Sequence, residues 1–460
     1  MTMYDSDTIA AVSTPPGEAG ISVIRVSGPR AFDVAEMIFR GTISPRESPS
    51  HRVLHGLIQE PGSGALVDEV LLMVMRAPHT FTAEDMVEIN GHGGVFVTSR
   101  VLEAVLRCGA RLAEPGEFTK RAFLNGRMDL AQAEAVLDII RSRTQAGLSA
   151  GLEQLSGKIS KATRLVRDDM VSVLAELELV VEFSETEQPP ANRDRLVAII
   201  QETVHRLDEL IASSMTGRLI REGATMAIGG KPNVGKSSLM NVLLREDRAI
   251  VSPIPGTTRD TIIEGWNLDG IPLQIVDTAG LGVQRDAIEQ ESGRRARENL
   301  LRADLVLFVL DGSRPFDEHD RSMALSLAGR THISVINKMD LEQEMSVDHL
   351  REHLTGPIVM ISALNGTGLE ELKEMIHHEL FRGEACPGQA VMVTHVRHRD
   401  VLERCRGALL RGVNALQDGL SEEFAALDLR EALVAIGEIT GETSSEEVLE
   451  RIFSQFCIGK

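Results

Sequence analysis

The residues best suited to chemistry begin with a glycine- and lysine-containing segment, residues 230–237, which reads GKPNVGKS. It follows an apolar run at 224–228 and precedes a helix-like apolar pattern at 239–244. A strand, a tight glycine turn and a helix N-terminus together surround phosphates with backbone N–H groups, and a Cβ would keep that backbone away. The pattern therefore predicts a phosphate-binding loop in which Lys236 supplies a positive charge and Ser237 a magnesium ligand.

Two further segments divide the remaining phosphate chemistry. Residues 256–260, GTTRD, stand where a first switch loop is expected, so Thr258 is predicted to be the second protein ligand of magnesium. Residues 277–280, DTAG, follow an apolar strand pattern. We expect Asp277 to hold magnesium through water and the N–H of Gly280 to contact the γ-phosphate.

A fourth motif selects the base. Residues 337–340, NKMD, end an apolar run at 333–336. The Asp340 carboxylate can accept two hydrogen bonds, from the ring N–H and the exocyclic amine of guanine, which adenine cannot offer. Ser362 and Ala363, which follow an apolar strand pattern at 358–361, fit the loop that covers the edge of the base.

The four motifs, in this order, predict a guanine-nucleotide switch across residues 230–363 that binds GTP and GDP. The nucleotide-binding residues predicted from them are Asn233, Val234, Gly235, Lys236, Ser237, Ser238, Gly256, Thr257, Thr258, Asp277, Thr278, Ala279, Gly280, Asn337, Lys338, Asp340, Ser362, Ala363 and Leu364.

One position departs from the common switch pattern. Many small GTPases place a glutamine after the last glycine of the second switch motif to orient the attacking water, but here the residue is Leu281. Its side chain forms no hydrogen bond, so water activation must come from elsewhere. The polar stretch that follows carries Asp286, Glu289 and Glu291. From the residues alone each of these acids is a candidate, and each is also compatible with a solvated surface position.

Length and composition bound the rest of the chain. With 460 residues and 43% apolar content, the chain is long enough for about three domains. A formal charge of −20 argues against a general nucleic-acid binder, so any RNA contact should be local or shared with a partner. The cysteines show no metal or disulfide spacing and indicate a reducing compartment. With no apolar run near membrane-spanning length, we predict a cytoplasmic protein without membrane contact.

Apolar patterning predicts a multidomain protein of the α/β plus all-α class. Residues 1–124 carry β-branched strand patterns at 21–26, 67–74 and 86–89 and a helical pattern at 95–106, and are predicted to form a mixed α/β domain. Residues 125–219 and 380–460 have helical spacing and are predicted to form two parts of a discontinuous helical domain. The GTPase domain, residues 220–379, would be inserted between them and could transmit its switch state to the helices. Helices that simply complete separate bundles are the alternative.

The helical prediction rests on apolar spacing. Two apolar stripes have this spacing, with no proline before Pro189. The first recurs at intervals of four, three and four residues and consists of Leu148, Leu152, Leu155 and Ile159, and the second consists of Val166, Met170, Val173 and Leu177. This pattern predicts long amphipathic helices.

Beyond these motifs, the chain resembles the tRNA modification GTPase MnmE (TrmE) family over essentially its whole length. The resemblance rests on blocks that a ribosome-assembly GTPase would not share, which are 14–17 (TPPG), 91–94 (GHGG), 115–118 (PGEF), 122–126 (AFLNG), 129–135 (DLAQAEA) and 457–460 (CIGK). It implies an N-terminal folate-binding-like domain that forms a constant homodimer, a discontinuous helical domain and an inserted Ras-like P-loop GTPase domain.

The resemblance also implies a tetrahydrofolate site, for 5,10-methylenetetrahydrofolate or a 5-formyltetrahydrofolate analogue, at Arg25, Glu88, Arg127 and Lys460. Relatives often carry lysine where Arg127 stands, and a planar guanidinium is not equivalent to an ammonium group. Without the resemblance, Arg25 and Glu88 would be interpreted as ordinary strand-face residues. Likewise Cys457, on its own a small apolar residue or an incidental thiol, is implied to act at the modification centre.

A potassium-stimulated switch is a further implication of the resemblance. Potassium would stabilise charge between the β- and γ-phosphates in the place of an arginine finger. Among the three acids after Leu281, the resemblance selects Glu289 to organise water, so the predicted catalytic residues are Glu289, Lys236 and Cys457. The residues implied around potassium and the adjoining nucleotide are Asn233, Ser252, Pro253, Ile254, Pro255 and Thr257, with Ser252, Ile254 and Thr257 contributing main-chain oxygens.

The predicted function is GTP hydrolysis in tRNA modification. The resemblance implies a flavin-dependent partner, MnmG (GidA), in a heterotetramer or larger complex that forms the 5-carboxymethylaminomethyl or aminomethyl group on the wobble uridine of certain tRNAs. The tRNA would be held mainly by the partner. A ribosome-assembly GTPase is one alternative, and it predicts unchanged tRNA nucleosides on deletion. A dynamin-like scaffold is the other, and the acidic charge with no basic amphipathic face counts against it.

Overall fold

The computed structural model describes residues 7–182, 192–246, 263–277, 303–345, 350–354, 356–381 and 391–460. The chain falls into two compact units, Met1–Leu137 with Ile436–Lys460, and Asp138–Ala435. Strands and helices together confirm the α/β plus helical class. The boundaries predicted at 124/125, 219/220 and 379/380 remain predictions.

The first unit contains a seven-stranded sheet within the part of the chain that the structure describes, in the order β3-β4-β5-β6-β2-β1-β7. Its strands are β1 (Ile9–Val12), β2 (Ala19–Ser27), β3 (Phe39–Gly41), β4 (Arg52–Gln59), β5 (Leu66–Met75), β6 (Met86–Gly93) and β7 (Arg111–Leu112). Neighbours are antiparallel except β1 and β7. In β5, Val70, Leu72 and Val74 are buried and Glu69 and Leu71 are exposed, which is the period of a strand covered on one face.

Helices cover the buried face of this sheet. The helices of this region are α1 (Ala31–Ile38), α2 (Val95–Arg107), α3 (Glu117–Leu124) and α4 (Leu130–Arg141). Apolar side chains of α1 and α2 form one core with the strands. A smaller core joins α3 and α4 to the last helix of the chain, α14 (Glu446–Phe453). The chain end is therefore an integral part of the first unit. The strands predicted at 21–26, 67–74 and 86–89 and the helix at 95–106 are confirmed.

The second unit contains a six-stranded sheet within the described residues, in the order β13-β12-β11-β8-β10-β9. Its strands are β8 (Ala224–Gly229), β9 (Ile263–Leu268), β10 (Ile271–Asp277), β11 (Leu305–Asp311), β12 (His332–Asn337) and β13 (Ile358–Met360). Only the β9–β10 pair is antiparallel. Alternate residues of β11 enter two different apolar cores, so helices cover both faces of the sheet. Those helices are α9 (Lys236–Glu246), α10 (Glu318–Ser326) and α11 (Leu369–Phe381).

Long helices make up the remainder of the second unit. They are α5 (Gln145–Leu155), α6 (Lys158–Glu182), α7 (Arg193–Ala212), α8 (Ser214–Glu222), α12 (Val396–Gln417) and α13 (Glu422–Thr440). The stripe on α6 is buried as predicted, at Val166, Met170, Val173 and Leu177.

The first predicted stripe, at residues 148–159, is wrong about where the helix ends and which of its residues are buried. It runs across the end of α5, because Gly157 has a φ of +81° that only glycine adopts readily and that ends the helix. Leu152 is half exposed, whereas Gly151 and Gln154 face inward. A Cβ at position 151 would press on Ile139, and the Gln154 side chain accepts a hydrogen bond from Thr394 at 2.9 Å. The buried face of α5 is thus chosen by close approach and hydrogen bonding, which apolar spacing cannot predict.

Candidate nucleotide-binding site

The P-loop connects β8 to α9 at the carboxyl edge of the parallel strands, where ligands of such sheets bind. Lys236 is buried, and its Nζ donates to the carbonyl oxygens of Gly230 at 2.9 Å and Lys231 at 2.5 Å. The φ angles of Gly230 and Gly235 are +146° and +101°. A Cβ at Gly235 would also collide with the side-chain amide of Asn337. The glycine requirement therefore has a tertiary cause as well as a local one.

Asn337 joins the P-loop to the predicted base loop. Its Nδ2 donates to the carbonyl oxygen of Val234 at 2.9 Å, and its Oδ1 accepts from the backbone N–H of Ala363 at 3.0 Å. The side chain is almost fully buried. Both polar ends of Asn337 are therefore used within the protein, so this residue holds two loops in register.

The other residues of the base motif are fixed by neighbours. Lys338 donates from Nζ to Asp311 Oδ2 at 2.6 Å, and Ser362 Oγ donates to Asp340 Oδ1 at 2.5 Å. Burial alone would raise the pKa of Asp311, but hydrogen bonds from Lys338 and Ser313 outweigh it and hold that pKa below its ordinary value. Sequence reasoning missed Asp311. Its signal was available, because an acid closes the apolar strand β11 as Asp277 closes β10.

These loops border a cavity of about 430 Å³. The residues that line it are Gly235, Ser238, Asn241, Val242, Arg245, Asn337, Lys338, Asp340, Ala363 and Leu364. The structure thus brings together residues predicted from the P-loop and from both base motifs. Asn241, Val242 and Arg245 were missed. They follow Ser238 on α9 at spacings of three, four and seven residues, so they share its helix face.

An ion-pair cluster ties the P-loop to α10. Lys231 Nζ lies 2.6 Å from Asp320 Oδ2 and 2.5 Å from Asp317 Oδ1. Asp317 is the N-cap of α10 and forms a capping box with Asp320. Burial would lower the pKa of Lys231, but the hydrogen bonds to the two carboxylates outweigh burial and raise it. Lys231 therefore stays protonated and anchors the start of the P-loop.

A second polar group lies in the first unit. Arg25 and Glu88 are direct partners across β2 and β6, and Arg25 Nε donates to Glu88 Oε1 at 2.9 Å. Another guanidinium nitrogen of Arg25 donates to the carbonyl oxygen of Gly459 at 3.3 Å. The Phe81 ring centroid lies 5.0 Å from the Arg25 guanidinium carbon and 5.1 Å from that of Arg127. Phe81, which sequence reasoning missed, thus contacts both arginines.

Lys460 belongs to the same group. Burial, followed by the positive charge of Arg25, lowers the pKa of Lys460, and Glu88 offsets this only in part. Burial and Arg25 also lower the pKa of Arg127. The structure therefore gathers the four residues predicted for the folate site. Cys457 is exposed, and its carbonyl oxygen accepts from the backbone N–H of Gly116 at 3.4 Å.

The structure describes only part of the remaining predicted site. Asn233, with a φ of +66°, lies in the P-loop, and Ser237 lies at the start of α9. For Asp277 only the backbone is described, at the end of β10. The predicted residues outside the described ranges are Ser252, Pro253, Ile254, Pro255, Gly256, Thr257, Thr258, Thr278, Ala279, Gly280 and Glu289.

A mainly parallel sheet covered by helices, with a P-loop, a predicted base-binding motif and a shared cavity at one edge, defines a Ras-like P-loop GTPase domain carried between helical segments. Two family models match the chain. One, described as the MnmE helical domain, matches residues 130–457, and the other, described as the GTP-binding protein TrmE N-terminus, matches residues 8–127.

Full-length relatives agree with these matches. The chain is 47% identical over 459 residues to the tRNA modification GTPase MnmE of Geobacter metallireducens, covering 100% of each chain. It is 46% identical over 467 residues to that of Heliobacterium modesticaldum, covering 99% of each. The solved G domain of the T. maritima FeoB iron transporter is 31% identical, matching 34% of this chain and 98% of its own, with a TM-score of 0.28. The chain belongs to the MnmE (TrmE) family.

This family membership makes the chain a GTP hydrolase, and the ribosome-assembly alternative loses its support. Among the described residues, no helix is long and apolar enough to cross a membrane.

Proposed function

We propose that this chain is a potassium-stimulated GTPase that acts with a flavin-dependent partner, MnmG (GidA), on tRNA. Together they form the 5-carboxymethylaminomethyl or aminomethyl group on the wobble uridine of certain tRNAs. The chain works as a homodimer, and GTP hydrolysis drives rearrangement of the GTPase domains, while the new bond forms elsewhere. The observation that carries this proposal is the presence, in one chain of this family, of both a guanine-nucleotide cavity and a separate cationic residue group.

The nucleotide cavity supports the part of the proposal that concerns GTP binding and hydrolysis. Asp340, held by Ser362, faces a cavity that also includes the P-loop residues Gly235 and Ser238. Lys236 carries its charge at the same loop, and Ser237 supplies a hydroxyl for Mg²⁺. In our proposal Asn233 contributes to a K⁺ site, and the ion supplies the charge that no arginine finger provides.

The cationic group supports the part of the proposal that concerns tRNA modification. Arg25, Arg127 and Lys460 bring three basic side chains together, and Glu88 pairs with Arg25. This excess of positive charge suits an anionic ligand, and Glu88 can accept hydrogen bonds from a ring that offers N–H donors. Tetrahydrofolate has both features, and as 5,10-methylenetetrahydrofolate it supplies a one-carbon unit. Cys457 lies in the terminal segment that also carries Lys460, so we assign it to the modification chemistry.

The ion dependence of turnover tests the GTPase half. We expect GTP hydrolysis to be about tenfold or more faster in K⁺ than in Na⁺ at equal ionic strength, because the larger charge-stabilising ion fits the site. Glu289→Ala should lower kcat by about 100-fold or more by removing the group that orients water. The neighbouring changes Asp286→Ala and Glu291→Ala serve as matched controls and should retain most of the turnover. Equal rates in the two salts would remove the ion from the mechanism.

Nucleoside analysis tests the tRNA half. In a deletion strain, the modified wobble uridine should disappear from tRNA, and the wild-type gene should restore it. Lys236→Ala, which removes a phosphate-binding charge, and Cys457→Ser should each fail to restore it. A wobble uridine that stays modified in the deletion strain would exclude the proposed function and favour a ribosome-assembly role.

A further inference from the structure

The charges of α6 are segregated along its length. Residues 158–167 carry four basic and no acidic residues, whereas residues 168–182 carry five acidic and no basic residues. A helix dipole favours the opposite order, with acids in the first turns and bases in the last. A sequence departs from such a local preference mainly at functional sites, where function outweighs the stability of the helix. The basic row, as we name it here, consists of Lys158, Lys161, Arg164 and Arg167.

Packing within the second unit accounts for three of the five acidic residues of α6. Glu176 accepts a hydrogen bond from Arg195 of α7 at 2.9 Å, and Glu178 accepts one from Arg430 of α13 at 2.7 Å. Asp169 pairs with Arg206 of α7 at 2.8 Å. These carboxylates therefore hold α6 to its neighbours.

Two members of the basic row, Lys161 and Arg164, are not explained in this way. Lys161 and Arg164 are exposed and lie opposite the buried stripe that includes Thr163 and Val166. Neither forms an ion pair with the residues that the structure describes, whereas Lys158 pairs with Glu153 at 2.7 Å. At 1.5 Å per residue the row extends about 14 Å along the helix. It is a compact positive feature on a chain whose net charge is −20.

We propose that the basic row docks the phosphate backbone of the tRNA, an inference that rests on the proposed function. The long, exposed side chains of Lys161 and Arg164 suit the diffuse charge of a nucleic-acid backbone. A protein partner would require an apolar interface core, and the large apolar side chain exposed within the row is Leu165 alone. The net charge of −20 opposes general RNA binding, so docking needs a local excess of bases such as this row.

The sequence predicted no basic amphipathic face, but α6 has one. The first three turns of α6 form such a face, because Ile159, Thr163 and Val166 are buried while Lys161 and Arg164 are exposed. The strongly negative total charge concealed this local excess of bases.

The test measures binding of an unmodified tRNA transcript to the full-length protein across a range of salt concentrations. Lys161→Glu combined with Arg164→Glu should weaken binding by about tenfold or more and reduce the salt slope by about 1.5 to 2, because two phosphate contacts are lost. Turnover of GTP without RNA should stay unchanged. The melting temperature should not fall, because acids near a helix N-terminus are favourable.

Two controls accompany this variant. Lys161→Arg combined with Arg164→Lys keeps both charges and should bind tRNA like the wild type. Arg52→Glu combined with Arg451→Glu makes the same change in net charge at exposed positions of the other unit and should leave tRNA affinity unchanged.

Three results would overturn the inference. One is unchanged tRNA affinity in the Lys161→Glu, Arg164→Glu variant. If that variant also loses binding to the flavoprotein partner, the row is a protein-binding surface. Another is a lowered melting temperature that accounts for the lost binding. The third is failure of the wild type to bind tRNA with or without the partner. If the deletion strain loses the modified uridine but this variant restores both modification and binding, only the inference fails and the proposed function stands.

Discussion

At the scale of single residues, Asp340 is predicted to decide which base the cavity binds. Its carboxylate borders the cavity and is held by Ser362 Oγ at 2.5 Å. Asp340→Asn should weaken GDP binding by about 100-fold or more, because one of the two acceptors for guanine N–H groups becomes a donor. The same variant should gain affinity for xanthosine diphosphate, since xanthine carries an oxygen in place of the exocyclic amine. Titration with GDP and with xanthosine diphosphate measures this change in base preference.

Ser362→Ala is the control for this change in base preference. It removes the hydrogen bond that positions Asp340 but leaves both acceptor oxygens, so GDP affinity should fall by only about tenfold or less. Base preference should be unchanged in this variant. If Asp340→Asn keeps the wild-type preference for guanine, Asp340 does not read the base.

At the scale of elements, Gly223 sets the junction between α8 and the P-loop strand β8. Its φ is +80°, and a Cβ there would collide with the carbonyl oxygen of Pro272 in β10. Gly223→Ala should lower the free energy of unfolding by about 2 to 4 kcal/mol through backbone strain plus overlap. GDP affinity should fall with it, because β8 leads directly into the P-loop. Chemical denaturation and nucleotide titration measure the two effects.

Gly329 offers a matched control for this junction. Its φ is +79°, nearly the same, but a Cβ there would meet nothing within 4 Å. Gly329→Ala should therefore cost only about 1 to 2 kcal/mol of left-handed backbone strain and leave nucleotide affinity unchanged. Equal losses of stability in the two variants would show that contact with β10 is unimportant.

At the scale of the whole molecule, the chain end completes the first unit. Phe453 is buried, with ring centroids 6.3 Å from Phe123 and 5.8 Å from Phe456. Phe453→Ala should lower the free energy of unfolding by about 3 to 5 kcal/mol because it leaves a cavity in this core. Phe424→Ala, at a residue that is 58% exposed, should change it by about 0.5 kcal/mol or less. Denaturation of both variants checks the difference.

Deletion of residues 457–460 separates the role of the tail in binding from its role in folding. The apolar core ends at Phe456, so the truncated chain should keep most of its stability. It loses Lys460 and the Gly459 carbonyl oxygen that accepts from Arg25, so 5-formyltetrahydrofolate binding should fall by about tenfold or more. Retained binding would remove the tail from the ligand site.

The sequence by itself determined those features that are encoded within a few consecutive residues. The P-loop needs a strand, a glycine turn and a helix start, and the segment 224–244 contains all three signals in order. The strands at 333–336 and 358–361 were likewise found to within a residue or so, because a buried parallel strand is a short apolar run whatever packs against it. The blocks that identify the family are local as well.

Only the tertiary structure decided which distant residues meet. Arg25 contacts the carbonyl oxygen of Gly459, which lies 434 positions away in the chain. Asp311 pairs with Lys338, and Gly151 and Gln154 rather than Leu152 face inward on α5. Periodicity specifies the conformation and the apolar face of one segment. It carries no information about the partner that approaches that face, because the meeting of distant segments is set by the packing of all elements at once.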